Sequence, residues 1–148
     1  MNQHHPKPWW FRLAEKIFPS RCREIPEAQN PSRILLRQVA IVHRKVYLQQ
    51  FASGEDPRFM HRHEFKRSII LGLWGGYTER RLTGPSRNVR APYFYTMGPD
   101  VIHQVTDPTP GHTSILIGWG RIQERHYFDS EVDNWHWKEH VKKEVERI

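Results

Sequence analysis

The stretch FMHRHEFKRSIILGLWGGYTE, residues 59–79, decides how this chain is read. It opens on an H-x-H pair, His61 and His63, runs on through an apolar segment, and ends on a double glycine followed by Tyr77 and Glu79. In an extended strand, residues two apart project to the same face, so His61 and His63 can present two imidazoles to one cavity. Residues 68–74 and 77–82 read as two strands joined in a hairpin at Gly75-Gly76, a dipeptide suited to the positive φ angles of a tight turn.

Outward from this stretch the pattern stays strand-like. Residues 34–39 and 40–51 are rich in β-branched and aromatic side chains, with Val46 and Leu48 alternating with Tyr47 and Gln49. The SGEDP run at 53–57 is a turn, and residues 59–65 form the strand that carries both histidines. A strand is expected over 88–96, a tight turn at MGPD (97–100), and a strand over 101–105 holding His103. Two more follow at 113–119 and 122–128. About eight strands with turn signals every eight to twelve residues are the mark of a sandwich or barrel.

Helical periodicity occurs only at the two ends. Residues 8–18 place Trp10, Leu13 and Ile17 at helical spacing, and Pro19 ends the pattern. Residues 21–31 read as a loop. Residues 132–148 read as an amphipathic helix with Trp137, Val141, Val145 and Ile148 on one face. The expected organisation is an N-terminal helix and loop extension (1–31), a barrel (32–129) and a C-terminal helix (130–148).

Composition bounds what such a domain can be. The 148 residues, 37% hydrophobic with six tryptophans, suffice for one core and not for two. A single cysteine, Cys22, excludes an internal disulfide and a cysteine-based zinc site. No segment approaches a membrane span and residues 1–10 lack the apolar core of a signal peptide, so a cytoplasmic protein is expected. The net charge of +7 is spread over pairs such as Arg21 and Arg23 or Arg80 and Arg81, with no long basic run. Nucleic acid therefore ranks low among partners.

An H-x-H pair alone says little: with ten histidines in 148 residues, about 0.7 such pairs arise by chance. His103 adds weight, because a barrel brings strands distant in sequence face to face. Three neutral imidazoles make a good site for a first-row divalent metal with open positions. A rival pattern, His136-Trp137-Lys138-Glu139-His140, fits H-x-x-E-H on the expected C-terminal helix. Only eight residues remain beyond it to supply a third ligand, so it is read as coincidental.

Together these pieces resemble the cupin superfamily. Gly54, then His61-Arg62-His63, then Gly72, Gly75 and Gly76 follow its first motif, with one extra residue between Gly54 and His61. Gly98-Pro99-Asp100-Val101-Ile102-His103 is similar to its second. The run Leu73 to Glu79, followed by Asp100, His103 and GWGRIQERHYF at 118–128, is closer to small phage and bacterial cupins that resemble cysteine dioxygenase. The resemblance implies an all-β, cupin-type jelly-roll β-barrel with short N-terminal and C-terminal helices, and a homodimer.

Where such cupins carry a ligating glutamate, this chain has Arg67 or Ser68, and Glu64 should face away from the cavity that His63 faces. The implied ligand set is thus three histidines without a carboxylate. One divalent transition metal is expected, Fe(II) first, with Zn, Ni or Mn as alternatives. The implied activity is a non-haem dioxygenase acting on a small anionic substrate, a thiol included, bound in the barrel. Arg58 and Arg67 are candidates to clamp its carboxylate, and Tyr77 to hydrogen-bond a bound oxygen species, with Tyr93 and Tyr95 beside it. Ordinary surface arginines and packing tyrosines are the plainer readings of the same residues. Asp100 or Gln104 is expected to orient the ring of His103. A non-catalytic ligand-binding module and a basic nucleic-acid-associated protein are the alternatives.

Overall fold

Strand-forming residues dominate from Cys22 onward, and the computed structural model arranges them in two antiparallel sheets. It describes residues 5–27, 32–55, 59–63, 65–121, 127–129 and 134–136. The strands are β1 (Cys22–Pro26), β2 (Ile34–Val42), β3 (Val46–Phe51), β4 (Phe59–His61), β5 (Phe65–Trp74), β6 (Gly76–Arg81), β7 (Arg87–Arg90), β8 (Tyr93–Met97), β9 (His103–Thr106), β10 (Thr113–Arg121), β11 (Tyr127–Asp129) and β12 (Asn134–His136). One sheet has the order β1-β2-β3-β10-β5-β8 and the other β12-β11-β4-β9-β6-β7. The expected all-β architecture is therefore present. No ladder joins the two sheets among the described residues.

The core lies between the sheets. Leu35, Leu36 and Phe51 of the first sheet pack against Tyr77, Val89 and Val105 of the second. A second cluster joins Tyr47, Phe65, Ile70, Met97 and Leu116. Burying side chains of this size is worth about 1.5–3 kcal/mol each, which makes the inter-sheet layer the main stabilising element.

Several expectations change, among them the strand expected over 59–65, which ends at His61 so that His63 lies beyond it. The glycines at 75 and 76 do not close a hairpin: β5 pairs with β10 and β8, whereas β6 pairs with β7 and β9. The chain instead passes from one sheet to the other there. Gly75 takes a φ of +69°, and a Cβ on Gly76 would lie 2.1 Å from the Val89 carbonyl oxygen. Both glycines are needed, but for a corner between sheets. The single strand expected over 88–96 is likewise split into β7 and β8, which belong to different sheets.

At the N-terminal end, the expected helix is present as α1 (Trp9–Ile17), ending before Pro19. Its buried residue is Phe11, while Leu13 and Ile17 are about half exposed. Of the anticipated stripe only Trp10 is half-buried, donating to Thr113, so the stripe as a whole is not the packed face. The loop expected after it contains β1, an edge strand pairing with β2 from Cys22 opposite Val39 to Pro26 opposite Ile34. At the other end, Asn134–His136 is a strand paired with β11, not part of a helix. The rest of the expected C-terminal helix, His140 included, lies outside the described residues. With His136 in a strand, the helical i, i+4 geometry of the H-x-x-E-H reading is lost at its first member.

Candidate metal centre

Four neighbouring strands of the second sheet, β4, β9, β6 and β7, build the site as a row. His61 on β4 stands opposite His103 on β9, and His103 stands opposite Arg81 on β6. Glu79, two residues before Arg81, stands opposite Val105 on one side and Arg87 of β7 on the other. Paired residues and residues two apart share a face. His61, His103, Glu79, Arg81 and Arg87 therefore share one face of the sheet, with His63 joining from just beyond β4.

The three histidines converge as the sequence predicted. Their ligating nitrogens all lie within 4.8 Å of one another, and His63 Nε2 is 2.9 Å from His103 Nε2. All three rings are buried, at 8% exposure or less. Ring centroids are 5.3 Å apart for His61 and His63, 4.6 Å for His61 and His103, and 5.0 Å for His63 and His103.

Two carboxylates orient the rings from behind. His103 Nδ1 donates to Glu79 Oε1 at 2.9 Å, which leaves the Nε2 lone pair directed at the other rings. Glu55 Oε1 lies 2.7 Å from His61 Nδ1. Glu55 is itself fixed to β9: its amide N–H donates to the Val105 carbonyl at 2.8 Å, and its Oε2 accepts the Val105 N–H at 2.6 Å. Metal-ligating histidines almost always place the distal ring nitrogen on such an acceptor.

Glu79 is fully buried and holds a second set of partners. Its Oε2 accepts from Arg81 Nε at 3.1 Å and from Arg87 Nε, and the Arg87 guanidinium also lies over the Tyr95 ring, 4.6 Å from its centroid. Burial alone would raise its carboxyl pKa. The hydrogen bonds from His103 and Arg87, with the Arg87 charge, outweigh it and hold the group well below the ordinary carboxyl value. At neutral pH Glu79 is therefore an anion.

The donor set fits a divalent transition metal. Ligand bonds of about 2.0–2.1 Å allow two nitrogens on one ion to lie at most about 4.1 Å apart, and His63 and His103 Nε2, at 2.9 Å, are within that reach. Three imidazoles, two with a carboxylate at the distal nitrogen, leave coordination positions for a ligand.

The other candidates are placed differently. Tyr77 is buried in the inter-sheet core, with its hydroxyl against that of Tyr95. Burial, and then the neighbouring Tyr95 and Tyr93, push its pKa far above that of a free phenol, so it stays protonated. Tyr93 hydrogen-bonds His112 Nε2 at 2.9 Å, and burial raises its pKa to about 12. Arg67 is exposed on β5 next to buried Ser68, so strand alternation turns it away from the interior. Arg58 lies outside the described residues. Asp100 is exposed in a turn, and Glu79, rather than Asp100 or Gln104, meets the His103 ring.

Sequence reasoning missed Glu55, Glu79, Arg81 and Arg87. Glu79 was within reach, since it ends the quoted stretch and shares a strand face with Tyr77. Its pairing with β9 depends on the sheet crossing at Gly75-Gly76, and the hairpin reading concealed it. A separate open groove of about 760 Å³, lined by Trp74, Arg90, Pro92 and Pro110 among others, contains none of the three histidines.

No protein-family model matches the chain, and no curated protein matches it in sequence. Solved structures do resemble it. A protein of Acidithiobacillus ferrooxidans described as a "putative sugar phosphate isomerase" superposes with a TM-score of 0.51 at 14% identity, covering 83% of this chain and 87% of that one. A point variant of the Streptomyces protein PAC13, solved with uridine, superposes with a TM-score of 0.50 at 10% identity, covering 74% of this chain and 86% of its own. At such identities the likeness is one of fold.

Proposed function

We propose that this protein is a cupin-type metalloprotein in which His61, His63 and His103 hold one divalent transition metal that binds a small anionic ligand. The observation that carries this reading is the pair of buried carboxylates, Glu55 and Glu79, each placed at the distal nitrogen of one histidine. A carboxylate there fixes the tautomer and the ring orientation and makes the ligating nitrogen more basic. Histidines that merely filled the interior would have no need of two buried anions in register behind them.

When bound, the ion supplies Lewis acidity toward an anionic ligand and, as Fe(II), a site for dioxygen chemistry. The protein's own residues do the rest. Glu79 keeps the Nδ1 proton of His103 in place, Glu55 holds the His61 ring, and the buried surroundings exclude bulk water from the three imidazoles. Neutral imidazoles cancel none of the ion's charge, which favours anionic ligands.

Fe(II) as the ion and oxidation of a small anionic substrate as the activity form the finer part of the proposal, supported by the all-histidine ligand set. Protein loaded anaerobically with Fe(II) is to be exposed to oxygen with a panel of small thiols and carboxylates. Substrate-dependent oxygen uptake that His61→Ala abolishes is the expected result. Uptake no greater than that of free Fe(II), across the panel, would remove the dioxygenase reading and leave a metal-dependent ligand-binding module.

A further inference from the structure

Arg81 and Arg87 do more in this geometry than neutralise a carboxylate. Each donates its Nε to the same atom, Glu79 Oε2, so both guanidiniums are anchored by one corner and lie side by side. Arg87 is further pinned by stacking over Tyr95. Among the described residues neither guanidinium has another hydrogen-bond or ion-pair partner. Both remain reachable from solvent, with exposures of 29% and 41%. Their Nε atoms are thus held at one oxygen, and no hydrogen bond engages their terminal nitrogens among the described residues.

The position of the pair matters as much as its geometry. Arg81 stands directly opposite His103, and Arg87 directly opposite Glu79, on the sheet face that carries the histidines. Two guanidiniums share one carboxylate counter-charge, which leaves an excess positive charge. A carboxylate ligand would use only part of the donors on offer. A phosphate monoester, with about two negative charges and three acceptor oxygens, matches two guanidinium edges.

We propose that Arg81 and Arg87 form a binding site for the phosphate monoester group of the ligand, beside the three histidines. That the same molecule also reaches the metal rests on the function proposed above; the phosphate site itself rests on the arginines alone. Pre-anchoring through Glu79 and Tyr95 lowers the ordering entropy that two free arginine side chains would lose on binding. Glu79 also ties the two sites together, since one oxygen holds His103 and the other holds both arginines.

The test uses the whole chain stripped of metal with a chelator and titrated calorimetrically with inorganic phosphate at constant ionic strength. One phosphate per chain is expected, with affinity reduced at least tenfold in Arg81→Gln and in Arg87→Gln. Arg12→Gln, on the exposed side of α1, should leave binding unchanged. Arg87→Lys keeps the charge but loses the planar fork, so it should weaken binding while preserving the fold, as judged by circular dichroism. His61→Ala should retain phosphate binding even as it loses metal, which separates this proposal from the metal reading. Phosphate that fails to bind the wild type, or binds it and both glutamine variants alike, would overturn the proposal. So would acetate competing at equal strength.

Discussion

Replacing Glu79 with glutamine tests how the centre is supported without touching a ligating atom. The amide oxygen can still accept the His103 Nδ1 proton. The amide nitrogen then faces Arg81 and Arg87, which carry only donors, so both guanidinium contacts become donor against donor. Two separable losses follow. The first is metal affinity: removing the charge behind a ligating histidine weakens binding about 10- to 100-fold, or about one to three kcal/mol. The second is stability of the metal-free fold. Glu79 is buried with its carboxyl pKa lowered by its partners, so those hydrogen bonds stabilise the fold while it is ionised. Part of that returns because Arg81 and Arg87, at 29% and 41% exposure, can rehydrate, so a loss of about 1–3 kcal/mol is expected. Competition with a chromogenic chelator reads the first quantity, and urea unfolding of the metal-free protein reads the second. A folded Glu79→Gln protein whose metal affinity stays within twofold of wild type would refute the reasoning.

Further outcomes follow from the core. His112 is fully buried, and desolvation lowers its pKa to about 4, below the ordinary value of about 6.5. The unfolded chain therefore binds this proton first, so stability falls as pH drops from about 6.5 to about 4 and then levels off. In His112→Gln the unfolding midpoint should show a visibly shallower pH slope across that window, and an unchanged slope would contradict the assignment. Gly76→Ala sets a Cβ against the Val89 carbonyl oxygen, backbone that cannot move aside. A loss of about 3 kcal/mol or more, read as a lowered urea midpoint, is expected, and a midpoint equal to wild type would argue against the sheet crossing at this point.

Much of the site was legible in the sequence, though the means by which it is held was not. The H-x-H spacing points His61 and His63 at one cavity, although β4 ends at His61 and His63 lies beyond the strand, and a turn ahead of His103 is visible in Gly98-Pro99. Those local signals sufficed to identify the three histidines. The support from Glu79 arises from strand pairing across the sheet, which no local pattern encodes. The misreading of Gly75-Gly76 has the same origin. A hairpin and a sheet-switching corner both call for glycine, and only the partners of β5 and β6 tell them apart. On α1 the hydrophobic periodicity is present, yet Phe11 rather than Leu13 or Ile17 is buried. The helix packs against β1 and β2, and Trp10 donates to Thr113 of β10, so its packed face is set by what the sheet offers.

The most direct test of the central claim is the metal content of untagged protein, measured by mass spectrometry after equilibrium dialysis against divalent ions, for the wild type and for His61→Ala, His63→Ala and His103→Ala. The account predicts about one transition-metal ion per wild-type chain, and a loss to background in each variant while circular dichroism shows the β fold intact. A wild type that takes up no metal, or variants that keep the wild-type stoichiometry, would contradict it.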